Sequence, residues 1–218
     1  MSALAGMRAT ALAAMLVAAV GCTQPEGAAS APAAPRSTSF VTCPPPPRSG
    51  WATYSDTVAG FSVQYPPGFA FELRTQARPV TGVVKSYQVV ETCYLNVSPP
   101  GQLEVTVYVK DADTLAGWVD KHTGGPAFVS GIDQYFSGVS HEAPARVTGR
   151  DALGFDWQPD AAPYTVHNTA MFLSAAYVLV LGWWAEDAPG LPDADARAAY
   201  AASLRTDYKT MLADLHLA

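Results

Sequence analysis

The segment YVLVLGWWA, residues 177–185, decides the fold that this sequence predicts. It contains no charged residue, and apolar side chains stand at both odd and even positions, so neither face of a strand formed from it suits exposure to water. Strands that are apolar on both faces lie inside a sheet that is covered on each side. The segment therefore predicts a central strand between two covering layers.

Other segments alternate apolar and polar residues with the period of a half-buried strand. In 61–65 and 103–110 the apolar residues occupy every second position. Short turns separate these neighbouring strands, which favours an α+β fold with a mainly antiparallel sheet. The remaining predicted strands are 51–57, 70–75, 86–97, 145–147, 152–158 and 164–173, whereas 123–144 is predicted as a loop with some local structure.

Two helices are predicted. Asp113 caps a helix that begins at Thr114 and is stopped by the Gly-Gly-Pro run at 124–126. A long helix over 193–216 ends the chain, with Asp193 at its positive end and His216 at its negative end. Its apolar stripe is predicted to lie on the sheet and consists of Tyr200, Leu204, Tyr208, Met211 and Leu215.

The stretches GFSVQYPPGF (60–69), TLAGW (114–118) and YAASL (200–204) resemble the PsbP/Mog1-like superfamily over about residues 51–212. The resemblance implies an α-β-α sandwich around a mainly antiparallel sheet. It also implies a binding or assembly role, since members include photosystem accessory subunits and exported bacterial lipoproteins, and it supplies no catalytic residues. An alternative fold is the helix-grip fold, in which the long C-terminal helix closes a ligand cavity.

The N-terminus has the organisation of an export signal. Arg8 is its one charged residue, and an apolar run over 9–20 follows that is too short to span a membrane. Residues 19–22, Ala-Val-Gly-Cys, resemble the lipobox of bacterial lipoproteins, although Ala19 stands where Leu is usual. We therefore expect a signal peptide over 1–21 and lipidation of Cys22, the alternative being an ordinary signal peptide cut elsewhere. Thr23 then predicts the outer membrane if the source is Gram-negative.

The cysteine count agrees with a lipid anchor. Three cysteines leave one without an intramolecular partner in an exported protein. If Cys22 carries lipid, Cys43 and Cys93 can form a disulfide, which closes a loop of about 50 residues and contributes roughly 4 kcal/mol. The alternative is two free buried thiols. Residues 22–50 form an Ala/Pro-rich tether that cannot build a core, so 51–218 is predicted to be a single domain.

The charge balance excludes one class of partner. The chain has a formal net charge of −6, which becomes more negative when the signal and its Arg8 are removed. Nucleic-acid binding needs a basic surface, so no nucleic-acid partner is expected. The predicted attachment to the membrane is through the lipid at Cys22.

The sequence offers little chemistry. The four histidines, His122, His141, His167 and His216, show no metal-ligand spacing, so no metal or cofactor is predicted. The Lys-Asp-Ala-Asp start at 110–113 fails as a calcium loop, because the required later glycine and glutamate are absent. Ser140, His141 and Glu142 are residue types of nucleophilic catalysis, but no Gly-x-Ser-x-Gly elbow accompanies them. A non-catalytic protein is predicted, with a small envelope hydrolase using His141 or His167 as the alternative.

The aromatic residues are the remaining candidates for a binding site. Trp183 and Trp184 are neighbours in a strand, so their rings project to opposite faces. The favoured interpretation is that each packs beneath a helix. In the alternative, one of them lines an apolar groove for a lipid, a glycan or a partner, together with Trp157, Tyr135 and Phe136. The predicted function is a cell-envelope lipoprotein that binds a partner protein or an amphiphile.

Overall fold

The computed structural model describes residues 50–74, 82–95, 99–123, 138–158, 164–185, 191 and 193–218. The predicted signal peptide and almost all of the predicted tether lie outside these residues. The elements in chain order are β1 (Ala52–Asp56), β2 (Phe61–Tyr65), β3 (Phe69–Leu73), β4 (Val83–Glu91), a short 3-10 helix (Thr92–Tyr94), β5 (Gly101–Val109), α1 (Leu115–His122), β6 (Ser140–Val147), β7 (Arg150–Trp157), β8 (Val166–Phe172), β9 (Tyr177–Ala185), α2 (Ala194–Ala213) and β10 (His216–Leu217).

The apolar segment 177–185 forms the middle strand of the larger of two sheets. That sheet has seven strands in the order β3-β4-β5-β9-β8-β7-β6, and its neighbouring strands pair antiparallel. Four consecutive residues of β9, from Val178 to Leu181, are buried. The predicted central strand and the predicted α+β class with mainly antiparallel pairing are therefore confirmed.

A second, three-stranded sheet has the order β1-β2-β10. Its third strand corrects the sequence prediction, which continued the last helix to His216. The helix ends at Ala213, and His216 pairs with Ser62 of β2 instead. The edge of β2 offers hydrogen bonds to this segment, including the one from Ala218 N to Gly60 O at 2.9 Å. The predicted interaction of His216 with the helix dipole is consequently wrong.

Helix α2 packs on β9, β5 and β2 with the predicted apolar stripe. Leu204, Tyr208 and Met211 are buried, as is Leu215 just beyond the helix, and Tyr200 is half-buried. They share one core with the small sheet and with one face of the large sheet, which includes Leu103 of β5. We call this the α2 face of the large sheet. Asp193 caps the helix by accepting from Ala196 N at 2.8 Å.

Helix α1 belongs to a separate core cluster. Trp118 and Val119 are buried with residues of β7, β8 and β9 whose side chains alternate with those of the α2 face, among them Phe155 and Val180. Trp118 Nε1 donates to Val109 O at 3.1 Å. Thr114 caps the helix by accepting from Gly117 N at 3.0 Å. Asp113 is the predicted cap, but the helix begins at Leu115. The cap is the residue directly before the helix, so Thr114 takes this role instead of Asp113.

Two predicted boundaries are also wrong. The strand predicted over 86–97 ends at Glu91, where the chain turns into the 3-10 helix. Strand β6 begins at Ser140, inside the predicted loop, and six of its eight residues are exposed. An edge strand of this kind has no buried alternation from which it could be predicted.

Asp56 joins the two sheets through a buried network. Its Oδ1 accepts from the backbone amides of Val58 and Ala59. Its Oδ2 accepts from Lys85 Nζ at 2.5 Å and from Tyr87 Oη at 2.7 Å, both on β4. Burial by itself raises the pKa of this carboxyl, but the bonds from Lys85, Ala59 and Tyr87 outweigh burial and lower it to about 2. The network therefore favours the ionised carboxylate.

Replacing Asp56 by alanine is expected to lower the free energy of unfolding by at least about 3 kcal/mol at neutral pH, because Lys85, Tyr87 and two amides lose their acceptor. The contribution of a carboxyl with a lowered pKa is present above its unfolded value near 4 and is lost as the pH falls towards about 2. Urea unfolding of the unmodified chain and of the Asp56→Ala variant should show that their difference in unfolding free energy shrinks as the pH falls from about 4 to about 2. Asp113→Ala, an exposed control, should change little; equal effects of the two changes would contradict the role of Asp56.

Gly101 sets how closely α2 approaches the sheet. A Cβ atom at this position would lie 2.5 Å from Trp184 O and 2.7 Å from Leu204 Cδ1. Its carbonyl also accepts from Tyr200 Oη at 3.3 Å. Gly101→Ala is expected to destabilise the fold by about 1 to 3 kcal/mol through overpacking. Gly154→Ala is the matched control, since an added Cβ atom there would have its nearest atom at 3.6 Å. Thermal unfolding measures both variants, and an equal drop in melting temperature for the two would contradict the prediction.

Candidate functional site

A row of four paired residues crosses one half of the large sheet. Ser140 of β6 pairs with Asp156 of β7, Asp156 pairs with His167 of β8, and His167 pairs with Trp183 of β9. Cross-strand partners project from the same face of a sheet. All four therefore lie on the α2 face, and we call this set, together with His141, the histidine row.

The side chains of the histidine row contact one another. His167 Nδ1 lies 2.7 Å from Asp156 Oδ1, and His141 Nδ1 lies 3.2 Å from Asp156 Oδ2. Ser140 Oγ is 3.2 Å from the same His141 nitrogen. The His167 ring stacks on Trp183, with centroids 4.5 Å apart and planes 27° apart. One carboxylate thus holds two imidazoles beside an indole.

His141 reaches this face through an irregular backbone. Simple alternation would direct it away from the face on which Ser140 lies. The pairing of β6 with β7 shifts register between Ser140 and Ala143, and His141 has a φ of +54°. Positive φ at a residue other than glycine is strained and is maintained by its surroundings. The bulge brings the second imidazole to Asp156.

The histidine row lies at the surface. The side chain of His141 is 81% exposed and that of His167 is 41% exposed, while Asp156 is 22% exposed. Within the described part of the chain, neither histidine uses its Nε2 atom for a hydrogen bond. Each Nε2 can donate or accept towards a bound molecule, depending on the tautomer.

The contacts differ from those of a Ser-His-Asp triad. In a triad the serine and the carboxylate bind opposite nitrogens of one imidazole, so that a proton can pass across the ring. Here Ser140 and Asp156 both approach Nδ1 of His141. The contacts at His141 therefore do not form the proton path of a triad.

The described ranges contain no group of three or more histidine, cysteine, aspartate or glutamate side chains that could hold a metal ion. The sequence prediction of no metal and no cofactor stays a prediction. In the same ranges, the helices are too short or too polar to cross a bilayer.

The tryptophans of the predicted groove are divided between the two faces. Trp183 lies on the α2 face, with its ring 6.5 Å from that of Tyr208. Trp184 lies on the opposite face, where it is buried and stacks on Tyr164 at 4.3 Å. Trp157 shares that opposite face, because it alternates with Asp156. Of the predicted pair, Trp184 is therefore the one that can share a groove with Trp157; Tyr135 and Phe136 lie outside the described residues.

The cysteine predictions fall largely outside the described residues. Cys22 and Cys43 are both outside them. Cys93 lies in the 3-10 helix, with its Sγ 3.6 Å from Glu91 Oε2. Lipidation of Cys22 and pairing of Cys43 with Cys93 stay predictions.

Sequence reasoning named His141, His167 and Trp183 separately and missed Asp156, which unites them. The available signal was the pairing of two predicted strands, 152–158 and 164–173, but their register depends on the turn between them. The other two histidines lie elsewhere. His122 is buried with its Nε2 at 2.9 Å from Asp111 Oδ1, and His216 is exposed in β10.

No protein-family model and no curated protein matches this chain. Among solved structures, the chain is similar to cyanobacterial PsbP (CyanoP) from Synechocystis sp. PCC 6803, with 13% sequence identity, a TM-score of 0.48, and coverage of 81% of this chain and 98% of that one. A protein from Bacteroides thetaiotaomicron VPI-5482 has 11% identity and a TM-score of 0.43, with 76% of this chain and 48% of that one covered. At these identities no residue role is carried over.

The hydrogen bond to Asp156 predicts the tautomer of His167. A carboxylate accepts, so neutral His167 should carry its proton on Nδ1, whereas His122 should carry it on Nε2 towards Asp111. Asp156→Asn should remove the Nδ1 preference of His167 and leave His122 unchanged. The substitution should lower stability by less than about 1 kcal/mol, since the contacts of Asp156 with the two histidines are partly exposed. Long-range ¹H–¹⁵N correlation spectra show which ring nitrogen of His167 and of His122 carries the proton. Protonation of His167 at Nε2 in the unmodified chain would contradict the predicted tautomer.

Proposed function

We propose that this chain is an exported, lipid-anchored protein of the bacterial cell envelope that binds a partner protein or an amphiphile without catalysis. The anchor is Cys22, and the site of action is the outer membrane if the source is Gram-negative. The acidic net charge supports a partner other than nucleic acid.

The histidine row carries the binding part of the proposal. It presents two imidazoles, a carboxylate and the edge of an aromatic stack at the surface. Because the serine and the carboxylate meet at one nitrogen of His141, this histidine lacks the proton path of a Ser-His-Asp triad, which supports binding. Polar groups that hold each other in place can recognise a ligand without reorganising, which favours binding.

The finer architecture is part of the same proposal. A PsbP/Mog1-like α-β-α sandwich is supported by α1 and α2, which pack into core clusters that use alternate residues of β8 and β9. The helix-grip fold stays the alternative. A bond between Cys43 and Cys93 would join the tether to the domain at the 3-10 helix.

A small hydrolase is the second candidate function, and one contact favours it. Asp156 lies 2.7 Å from His167 Nδ1. A carboxylate in this position orients a catalytic histidine and leaves its Nε2 atom free to act as the base. Such an enzyme would need its nucleophile from water or from residues outside the row.

Two measurements separate these functions. Native mass spectrometry of the chain purified from its own host should detect a retained amphiphile or a co-purifying protein. Ester hydrolysis by the unmodified chain should not exceed that of a His141→Ala, His167→Ala variant. A rate that falls at least tenfold in the variant overturns the non-catalytic proposal, because loss of a general base typically lowers rates by about 10² to 10⁴.

The anchor is tested independently. Metabolic labelling with a fatty-acid analogue should label the chain, and Cys22→Ala should remove the label. Cys43→Ala is the matched control and should retain it. An unlabelled unmodified chain refutes the anchor, and a label that survives Cys22→Ala places it elsewhere.

A further inference from the structure

Asp156 determines which atom of each imidazole in the histidine row is available to a ligand. Its two carboxylate oxygens lie 2.7 Å from Nδ1 of His167 and 3.2 Å from Nδ1 of His141. An ionised carboxylate only accepts hydrogen bonds, so each Nδ1 carries a proton and donates to Asp156. Within the described residues neither Nε2 atom forms a hydrogen bond. The two histidines therefore gain or lose a proton at Nε2, which is the atom that a ligand meets.

The two Nε2 atoms change their hydrogen-bonding character with pH. In a neutral ring whose Nδ1 is protonated, Nε2 carries a lone pair and accepts a hydrogen bond; in the protonated ring it becomes a positively charged N–H donor. An imidazole in water makes this change as the pH falls through about 6.5. The histidine row thus presents two acceptors in alkaline solution and two charged donors in mildly acidic solution.

Helix α2 adds basic side chains on the same side of the molecule. Tyr208 Oη donates to a threonine of β8 at 2.6 Å, whereas Tyr200 Oη donates to a backbone carbonyl of β5 at 3.3 Å. Strands β8 and β5 lie on opposite sides of β9, so the Tyr208 flank of the helix faces the half of the sheet that carries the histidine row. Helical geometry, with about 3.6 residues per turn, places Arg205 and Lys209 beyond Tyr208 on this flank.

The local charge balance depends on the two histidines. Arg205 and Lys209 are exposed, and neither forms an ion pair with another described residue. The acidic groups are Asp156 of β7 and the exposed Glu142 of β6, while β8 and β9 add no further charged side chain. Burial raises the pKa of the Tyr208 phenol, so that group stays neutral. Two cations and two anions sum to zero, and two imidazolium rings bring the sum to +2.

We propose that the histidine row binds a tetrahedral oxyanion of the phosphate class, and that it does so when both His141 and His167 are protonated at Nε2. Hydrogen bonds from a charged donor to a charged acceptor are roughly twice as strong as neutral ones. Asp156 stabilises both imidazolium rings from their Nδ1 side and leaves the opposite nitrogens for the anion. This inference rests on the binding function proposed above and names its ligand class, which is either the phosphate of a lipid headgroup or a free phosphate.

Two further contacts favour the protonated row. The indole of Trp183 stacks on the ring of His167 with centroids 4.5 Å apart, and a cation over the face of an indole is attracted by its π electrons. The strained φ of +54° at His141 brings the second imidazole to the shared carboxylate. Strained residues of this kind concentrate at ligand-binding and active sites. The bulge therefore has a use, which is to supply the second donor.

Sulfate is the first probe, because it stays a dianion between about pH 5 and about pH 8, so any pH dependence of its binding belongs to the protein. The full chain in neutral detergent is titrated with sulfate while NMR follows the ring nitrogens of His141 and His167. We expect binding at about pH 5.5 that weakens at least about tenfold by about pH 8, since each proton that binding requires changes affinity by up to tenfold per pH unit.

Variants test whether the binding belongs to the row. The His141→Gln, His167→Gln double variant should lose the pH-dependent sulfate binding, which amide chemical shifts of β7 and β8 report. His216→Gln is the matched control, because His216 is an exposed histidine of β10, in the other sheet. The control should bind sulfate as the unmodified chain does.

Two more probes identify the source of the anion at about pH 5.5. Inorganic phosphate and a short-chain phosphatidic acid are added at equal concentration to the chain in the same micelles, with the matching diacylglycerol as the phosphate-free control. At least tenfold tighter binding of the phosphatidic acid supports a lipid headgroup as the ligand. Equal affinity of the two supports a free phosphate. Binding of the diacylglycerol at the row as tightly as the phosphatidic acid contradicts recognition of the anion.

Two results with sulfate overturn the proposal. One is the absence of any shift of the His141 and His167 ring nitrogens at about pH 5.5, which needs no variant. The other is sulfate binding that is equally tight at about pH 8 or that persists in the double variant. Either result leaves the proposed binding function open to a ligand of another class. Ester hydrolysis that requires the two histidines would instead refute the binding function itself.

Discussion

Both faces of β9 must be kept from water, and the rest of the architecture follows from that requirement. Burying one Val or Leu side chain contributes about 1.5 to 3 kcal/mol, and β9 buries four in succession. Alternate residues of the strand face different cores, with Leu179 and Leu181 in one cluster and Val178 and Val180 in the other. The two helices and the small sheet cover these faces. A strand with two apolar faces is best protected in the middle of the sheet, and β9 is the fourth strand of seven.

The cover on the α2 face has two parts that must be joined. Helix α2 lies over β5 and β9, while the small sheet packs towards β3 and β4, where Tyr54 stacks on Phe71 at 4.1 Å. Apolar contact alone allows such layers to slide. The network at Asp56 restricts the small sheet to one position, because it needs Lys85 and Tyr87 at fixed places on β4. The residues after α2 complete the join by pairing with β2.

Two carboxyl groups on the α2 face, those of Asp156 and Glu91, lie in different surroundings. Asp156 lies towards β8, where two imidazoles accompany it at the surface. Glu91 lies on β4, four strand spacings or roughly 19 Å away across the sheet, and its burial raises the pKa of its carboxyl to about 7. In the first environment the polar groups stay exposed and hold each other by hydrogen bonds. The second disfavours the charged form of the carboxyl, because a buried carboxylate lacks solvation.

The amino-acid sequence by itself determined the α+β class, the central strand at 177–185 and the stripe of α2, since these depend on the local period of apolar residues. It did not determine the end of α2, the start of β6 or the cap at Thr114, because these depend on which hydrogen-bond partners a neighbouring segment offers. It also could not bring His141, His167 and Asp156 together. Those neighbours are distant in the chain, and register between strands and the position of a helix on a sheet are decided only when the whole core packs.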